Sequence, residues 1–298
     1  MKTRNYFTLA LSNSIYKKKQ LKLFIYSLLI LFPKLLQCQC INGDVHISNQ
    51  NDVLLFKQTQ GNCDTIFGNL IIGPPEKQGQ SRVESLQGFE NIKVVLGNVE
   101  IRNNQWLTDL GNINNIQFID GNFIFLDNPK LIKNYVFKTE NINGSVELYF
   151  SQFSSTIITF PSLKKVGKDL FFSAYKSHPT IFPTLKYIGN NLRYYSNSHD
   201  CTDLIQLEYV NSISINLGNT NMSTKLFQKL KKVESLSLKF ESTKNIDFGS
   251  NIEIDYLSLE NTLPNPIIAF SKNKKYKSLS LGNLHSTKYL KETFEIAG

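Results

Sequence analysis

The chain has 298 residues, enough for one large domain or two ordinary ones, and 41% of them are hydrophobic, so a substantial core can be buried. A formal charge of +9 would favour an acidic partner, but seven of the 33 basic residues lie in residues 1–39, which contain no Asp or Glu. The remaining 26 basic residues face 24 acidic ones, a net of +2, and so small an excess argues against a nucleic-acid binder.

At the amino terminus, "KKKQLK" (Lys17–Lys22) precedes the apolar run "LFIYSLLILF" (Leu23–Phe32). Ten residues are too few to span a bilayer but suit the core of a signal peptide. Pro33 and Lys34 interrupt any extension. Residues 1–39 therefore read as a signal peptide, with cleavage expected just before Cys40 and an uncleaved signal anchor as the alternative. The expected location is secreted or on the cell surface, with no membrane span in the mature chain. The cysteines are Cys38, Cys40, Cys63 and Cys201. Cys40 and Cys63 flank the first unit, and an exported chain meets oxidising conditions. A bridge between them would contribute ~3 kcal/mol in the chain-entropy model. Cys201 then reads as an inert thiol.

From there the chain repeats a short alternating strand. The triplets begin at Val45, Leu70, Val99, Phe123, Val146, Leu170, Leu192, Ile213, Leu236, Leu257 and Leu279, in steps of 21 to 29 residues. Eleven strands at a near-constant period are the signature of a solenoid. The connectors repeat too: "FPSLKKVG" (Phe160–Gly167) returns as "FPTLKYIG" (Phe182–Gly189). Elsewhere they keep a beat of three, as in Leu107, Leu110, Ile113, Ile116 and Ile119. That spacing fits 3₁₀-like or extended turns rather than an amphipathic helix. Gly68, Gly97, Gly121, Gly144, Gly167 and Gly189 precede successive strands, where glycine permits positive φ or close backbone approach. Asn211, Glu234 and Asp255 stand at the later corners. The polar corners after the strands, such as "RNNQ" and "LDNP", are expected to stack their Asn side chains.

The expected fold is mainly β: a right-handed parallel β-helix, or leucine-rich-repeat-like solenoid, of about ten to eleven turns. It should occupy residues 40–283, with residues 284–298 forming a carboxy-terminal cap or stub.

The pattern "CINGDVHISNQNDVLLFKQTQGNCDTIFGNLIIG", followed by "GNVEIRNN", resembles the receptor L domain, and is still more similar to stand-alone microbial L-domain repeat proteins. The likeness covers residues 40–131 well and 132–283 loosely. In that family paired cysteines close the first turn, which maps onto Cys40 and Cys63. The resemblance implies binding of a protein or glycan partner and brings no common catalytic residues.

A search for chemistry finds little. Nucleophile-elbow, zincin, P-loop and dinucleotide motifs do not occur. His46, His178, His199 and His285 are scattered, and the neighbours His199, Asp200 and Cys201 would point to opposite sides of an extended segment. The outward carboxylates Glu100 and Glu147 fall two turns apart, near ~10 Å. The chain reads as a non-enzyme with no cofactor and no metal site.

In each triplet the outer residues should face inward, leaving the middle residue and the one after the triplet in solvent. The carboxy-terminal units then show a ladder of serines: Ser214, Ser237, Ser258 and Ser280. The central units instead expose Ile124, Leu126, Tyr149, Phe171, Arg193 and Tyr195, and Arg102 is expected outward as well. Aromatic residues beside an arginine have the composition of an interface core. The expected function is an exported, non-enzymatic surface binding or adhesion protein that uses this face. The alternatives are a structural surface component without a ligand or, last, a glycan-cleaving β-helix.

Overall fold

The computed structural model describes residues 41–74, 79–150, 156–175, 181–196, 204–218, 228–240, 245–247, 252–261, 267–269, 275–282 and 295–296. All of the described residues belong to the unit Ile41–Gly298. The expected signal peptide, Cys38, Cys40 and the His199–Cys201 stretch lie outside the described residues.

Ile41–Gly298 is mainly β and forms a parallel β-solenoid of about eight turns. Its main sheet has eleven strands among the described residues. These strands are β1 (Val45–Ile47), β2 (Leu70–Ile72), β3 (Val99–Arg102), β4 (Phe123–Leu126) and β5 (Val146–Phe150). They continue with β6 (Leu170–Ala174), β7 (Asn191–Ser196), β8 (Ser212–Leu217), β9 (Lys232–Phe240), β10 (Glu253–Asn261) and β11 (Ser278–Gly282). They stack in chain order. The first residue of each triplet pairs with the first residue of the next, from Val45↔Leu70 through Phe123↔Val146 and Leu192↔Ile213 to Leu257↔Leu279. A slip of one residue would turn every core side chain outward, so the apolar alternation fixes this register.

A second sheet of six two-residue strands closes the core from another side: Thr65–Ile66, Val94–Val95, Phe118–Ile119, Asn141–Ile142, Lys165–Val166 and Tyr187–Ile188. The connector beat supplies the layer between the sheets. Leu107, Leu110, Ile113, Ile116 and Ile119 are all fully buried, and Ile113–Asn115 is a 3₁₀ turn. Rings follow one another along the core from turn to turn: Phe125–Phe150 and Phe150–Phe172 are tilted at centroid distances of 5.7 and 6.0 Å, and Phe172–Tyr194 stack at 4.5 Å.

The corner glycines serve close approach rather than positive φ. None of the six has a φ in the left-handed region, but a Cβ on Gly97 would lie 2.6 Å from the Gly68 carbonyl oxygen. Gly97, Gly121 and Gly144 each donate their N–H to the carbonyl of the preceding corner glycine at 3.0 Å. The residue after the glycine continues the ladder: Asn69, Asn98 and Asn122 Oδ1 accept the backbone N–H of Asn98, Asn122 and Ser145 at 2.8, 2.8 and 2.7 Å. At the opposite end of the strands, buried Asn104 donates from Nδ2 to Ile72 O and Asn128 Oδ1. Buried Asn128 donates in turn to Ile101 O and Leu126 O.

One element has no counterpart among the expected turns, and one expectation needs correction. The first connector contains an eleven-residue helix, α1 (Gln50–Gln60). The Asn49 side chain accepts from the Asn51 and Asp52 N–H groups, and Asp52 accepts in return from the Asn49 N–H, which forms a capping box. Phe56 anchors the helix by stacking on Phe89 at 3.9 Å. Arg102 is not a solvent residue; only 8% of it is exposed. Its Nε donates to Glu100 Oε2 at 2.8 Å, because residues i and i+2 of a strand share one side. Gly73 in the preceding turn makes room for the Arg102 backbone, since a Cβ there would collide with the Arg102 carbonyl oxygen.

Of the expected cap, Glu295–Ile296 forms a short strand parallel to Lys275–Tyr276. Residues 283–294 lie outside the described residues.

Candidate functional site

The six candidate residues come together on the outer side of β4 to β7. Strand pairing places Ile124, Glu147, Phe171, Arg193 and Ser214 in one column. Leu126, Tyr149, Ser173, Tyr195 and Asn216 form the next. Successive members stand about 4.8 Å apart. The core partners Phe125, Leu148, Phe172 and Tyr194 fill the other side of the same strands, at 1% exposure or less. Tyr149 and Arg193 are exposed, and Ile124, Leu126, Phe171 and Tyr195 are half-buried. The Phe171 and Tyr195 rings touch diagonally across β6 and β7 at 5.7 Å. Phe172 takes the core position of β6, which leaves Phe171 on the outer side.

The electrostatics separate this patch from its surroundings. Glu147 and Arg193 lie on either side of Phe171 in one column, about 10 Å apart, too far for a direct pair. Toward the amino end, Glu100 is tied to Arg102. Toward the carboxy end, Lys239 pairs with Glu260 at 2.8 Å. An aromatic centre flanked by charged pairs resembles the dry core and polar rim of a binding surface, with the buried Arg102 Nη1 left without a hydrogen-bond partner. Glu100 and Glu147 stand on β3 and β5 with Ile124 between them, which matches their expected separation. Among the described residues, no group of three His, Cys, Asp or Glu side chains could hold a metal.

Cys63 is buried, and its sulfur lies 3.4 Å from Gln60 Oε1 at the end of α1.

Two further features escape single-strand reasoning because they form only when turns stack. Tyr187 and Tyr209 stack face to face, with centroids 4.8 Å apart and planes 9° from parallel. Lys165 Nζ lies 5.8 Å from the Tyr187 ring centre. The signal was present in the shared phase of "FPTLKYIG" and "LIQLEYV", which sets the two tyrosines at the same step of the connector. The other feature is a groove of about 340 Å³ lined by Gln80, Arg82, Glu84 and Trp106, with Lys130 Nζ 3.6 Å from the Trp106 ring centre.

Residues 62–141 match the receptor L domain. The matched segment contains β2, β3 and β4, the connectors between them and the candidate residues Ile124 and Leu126; Tyr149, Phe171, Arg193 and Tyr195 follow it. A receptor L domain points to a ligand-binding or receptor-like role. No curated protein and no solved structure matches the chain. Among the described residues, no helix is long and apolar enough to cross a membrane.

Proposed function

We propose that the chain is an exported, non-enzymatic binding or adhesion protein that recognises a protein or glycan partner through the outer side of β4 to β7. The observation that carries this reading is the contiguity of Ile124, Leu126, Tyr149, Phe171, Arg193 and Tyr195 on four neighbouring strands, none of them buried. Large apolar side chains left half-open beside an arginine are costly to keep in water and favourable to cover. The receptor L domain match agrees with a binding role.

The same reading includes a signal peptide in residues 1–39, a Cys40–Cys63 disulfide and a coil of ten to eleven turns. It takes the coil as right-handed, since crossovers between parallel strands are overwhelmingly of that hand.

The test is the triple variant Y149S/F171S/Y195S, with binding screened against glycan arrays and cell-surface protein preparations. Loss of a ligand bound by the unsubstituted chain is expected, with cooperative unfolding retained. A variant that folds and still binds places the ligand elsewhere. Amino-terminal sequencing of exported material should start near Cys40, and non-reducing peptide mapping should recover the Cys40–Cys63 pair.

A further inference from the structure

The second sheet carries a surface of different chemistry. Tyr187 and Tyr209 cover one ring face each by stacking on one another, and Lys165 sits over the far side of Tyr187. Tyr209 instead lines an open groove of about 690 Å³ with Glu208, Gln228, Lys229 and Lys231, above Leu230. Leu230 is 1% exposed and belongs to the core, so the apolar surface of the groove comes from the tyrosine ring and the stems of the long polar side chains.

The charges here do not cancel. Lys164 pairs with Glu140 and Lys186 with Glu208, both at 3.0 Å. Lys229 Nζ donates to Gln206 Oε1, a neutral partner. Lys165 faces a ring and Lys231 lines the groove. Five lysines (164, 165, 186, 229 and 231) thus face two glutamates (140 and 208), an excess of three. That exceeds the net of +2 carried by all residues after position 39. The outer side of β4 to β7 has no such excess, with one glutamate and one arginine.

We propose that this groove is a second docking surface, and that its partner is an acidic polysaccharide. A sugar ring stacks on one aromatic face and needs no wide apolar area, whereas a stable protein partner needs roughly 800 Å² a side with an aromatic core. Lys165 and Lys231 stand one turn before Tyr187 and one turn after Tyr209, so the cations span three turns, ~14 Å. A linear chain of charged sugars laid across the turns meets them in succession. Single-stranded nucleic acid is disfavoured because it binds through repeated stacking on open rings, and among the described residues Tyr209 is the one aromatic side chain that lines the groove.

The experiment uses the full chain with polygalacturonate and dextran sulfate as probes. Neutral dextran, poly-glutamate and oligo-dT serve as comparisons, and affinity is followed against salt. One or both acidic polysaccharides should bind, more weakly as salt rises. K165Q/K229Q/K231Q should weaken that binding about tenfold, since exposed ion pairs contribute up to about 1 kcal/mol each. Y209S should weaken it while leaving the melting temperature near that of the parent. Y149S/F171S/Y195S should leave it unchanged, which separates this surface from the one on β4 to β7. No binding of either polysaccharide overturns the proposal. So does equal or tighter binding of poly-glutamate or oligo-dT, or binding insensitive to the three lysines.

Discussion

The two halves of the solenoid turn their corners differently. Through β7, each turn makes two strands separated by a glycine-based corner, as when Tyr187–Ile188 gives way through Gly189 and Asn190 to Asn191–Ser196. In β9 and β10 the same two segments run together as single nine-residue strands, Lys232–Phe240 and Glu253–Asn261. The corner residues there are Glu234 and Asp255. Glu234 still donates its N–H to Asn211 O at 2.9 Å, so the turn-to-turn bond survives. What is lost is the tight approach that only a residue without Cβ allows. The outer surface changes with the corner: varied and aromatic over β4 to β7, serine at each middle position from β8 onward. The sharp corner is thus a local device of the earlier turns, and a parallel ladder persists without it.

The strongest way to break this comparison is Gly121→Ala. A Cβ there would lie 2.6 Å from the Gly97 carbonyl oxygen, and the backbone on both sides must move. We expect a loss of about 2–3 kcal/mol in urea unfolding. Glu234→Ala, at the equivalent step of a straight corner, should change stability by no more than about 0.5 kcal/mol. Equal effects at the two sites would show that the corners do not differ as described.

A second substitution sharpens the same point at the other end of the strands. Asn128→Ala removes the donors to Ile101 O and Leu126 O and the acceptor for Asn104. With these groups buried, a loss of about 2 kcal/mol is expected in thermal or urea melts.

Much of this was legible in the sequence. Alternation of period two in eleven triplets specified both the strands and their register, because one slip would have exposed Phe123, Phe125, Leu148 and Phe172 together. The six residues on β4 to β7 followed from the same rule. What escaped lay where a local rule had a competitor. The helix α1 was written in Asn49 and Asp52 as a capping box, a three-residue signal inside a long array of turns. Arg102 left the solvent because Glu100 lies two residues away on the same side and accepts from its guanidinium. The tyrosine pair could not be found from strand alternation, since Tyr187 lies in a two-residue strand and Tyr209 in an isolated bridge beside it.

The smallest effect concerns that capping box. Burial pushes the Asp52 carboxyl up, but hydrogen bonds from the Ser48 backbone and hydroxyl and from Asn49 outweigh it and hold the group below its ordinary 3.8. A depressed carboxylate stabilises the fold above that value, and its contribution is lost as pH falls below about 3.8 through the folded-state value. Asp52→Asn should therefore cost about 1 kcal/mol at pH 7. Urea melts at about pH 3 should show the variant and parent converging.

The register ladder also dictates how the chain can acquire its shape. Each strand of the main sheet bonds only to the strand one turn before it and one turn after it, 21 to 29 residues away. Loop-closure entropy grows only with the logarithm of loop length, so every turn is nearly as easy to close as any other. Once one pair has formed, each new turn docks on an edge that already exists. A chain emerging from the ribosome amino end first can therefore lay down β1 on β2, then β3, before β11 has been synthesised. The ladder can be built in the order in which it is translated.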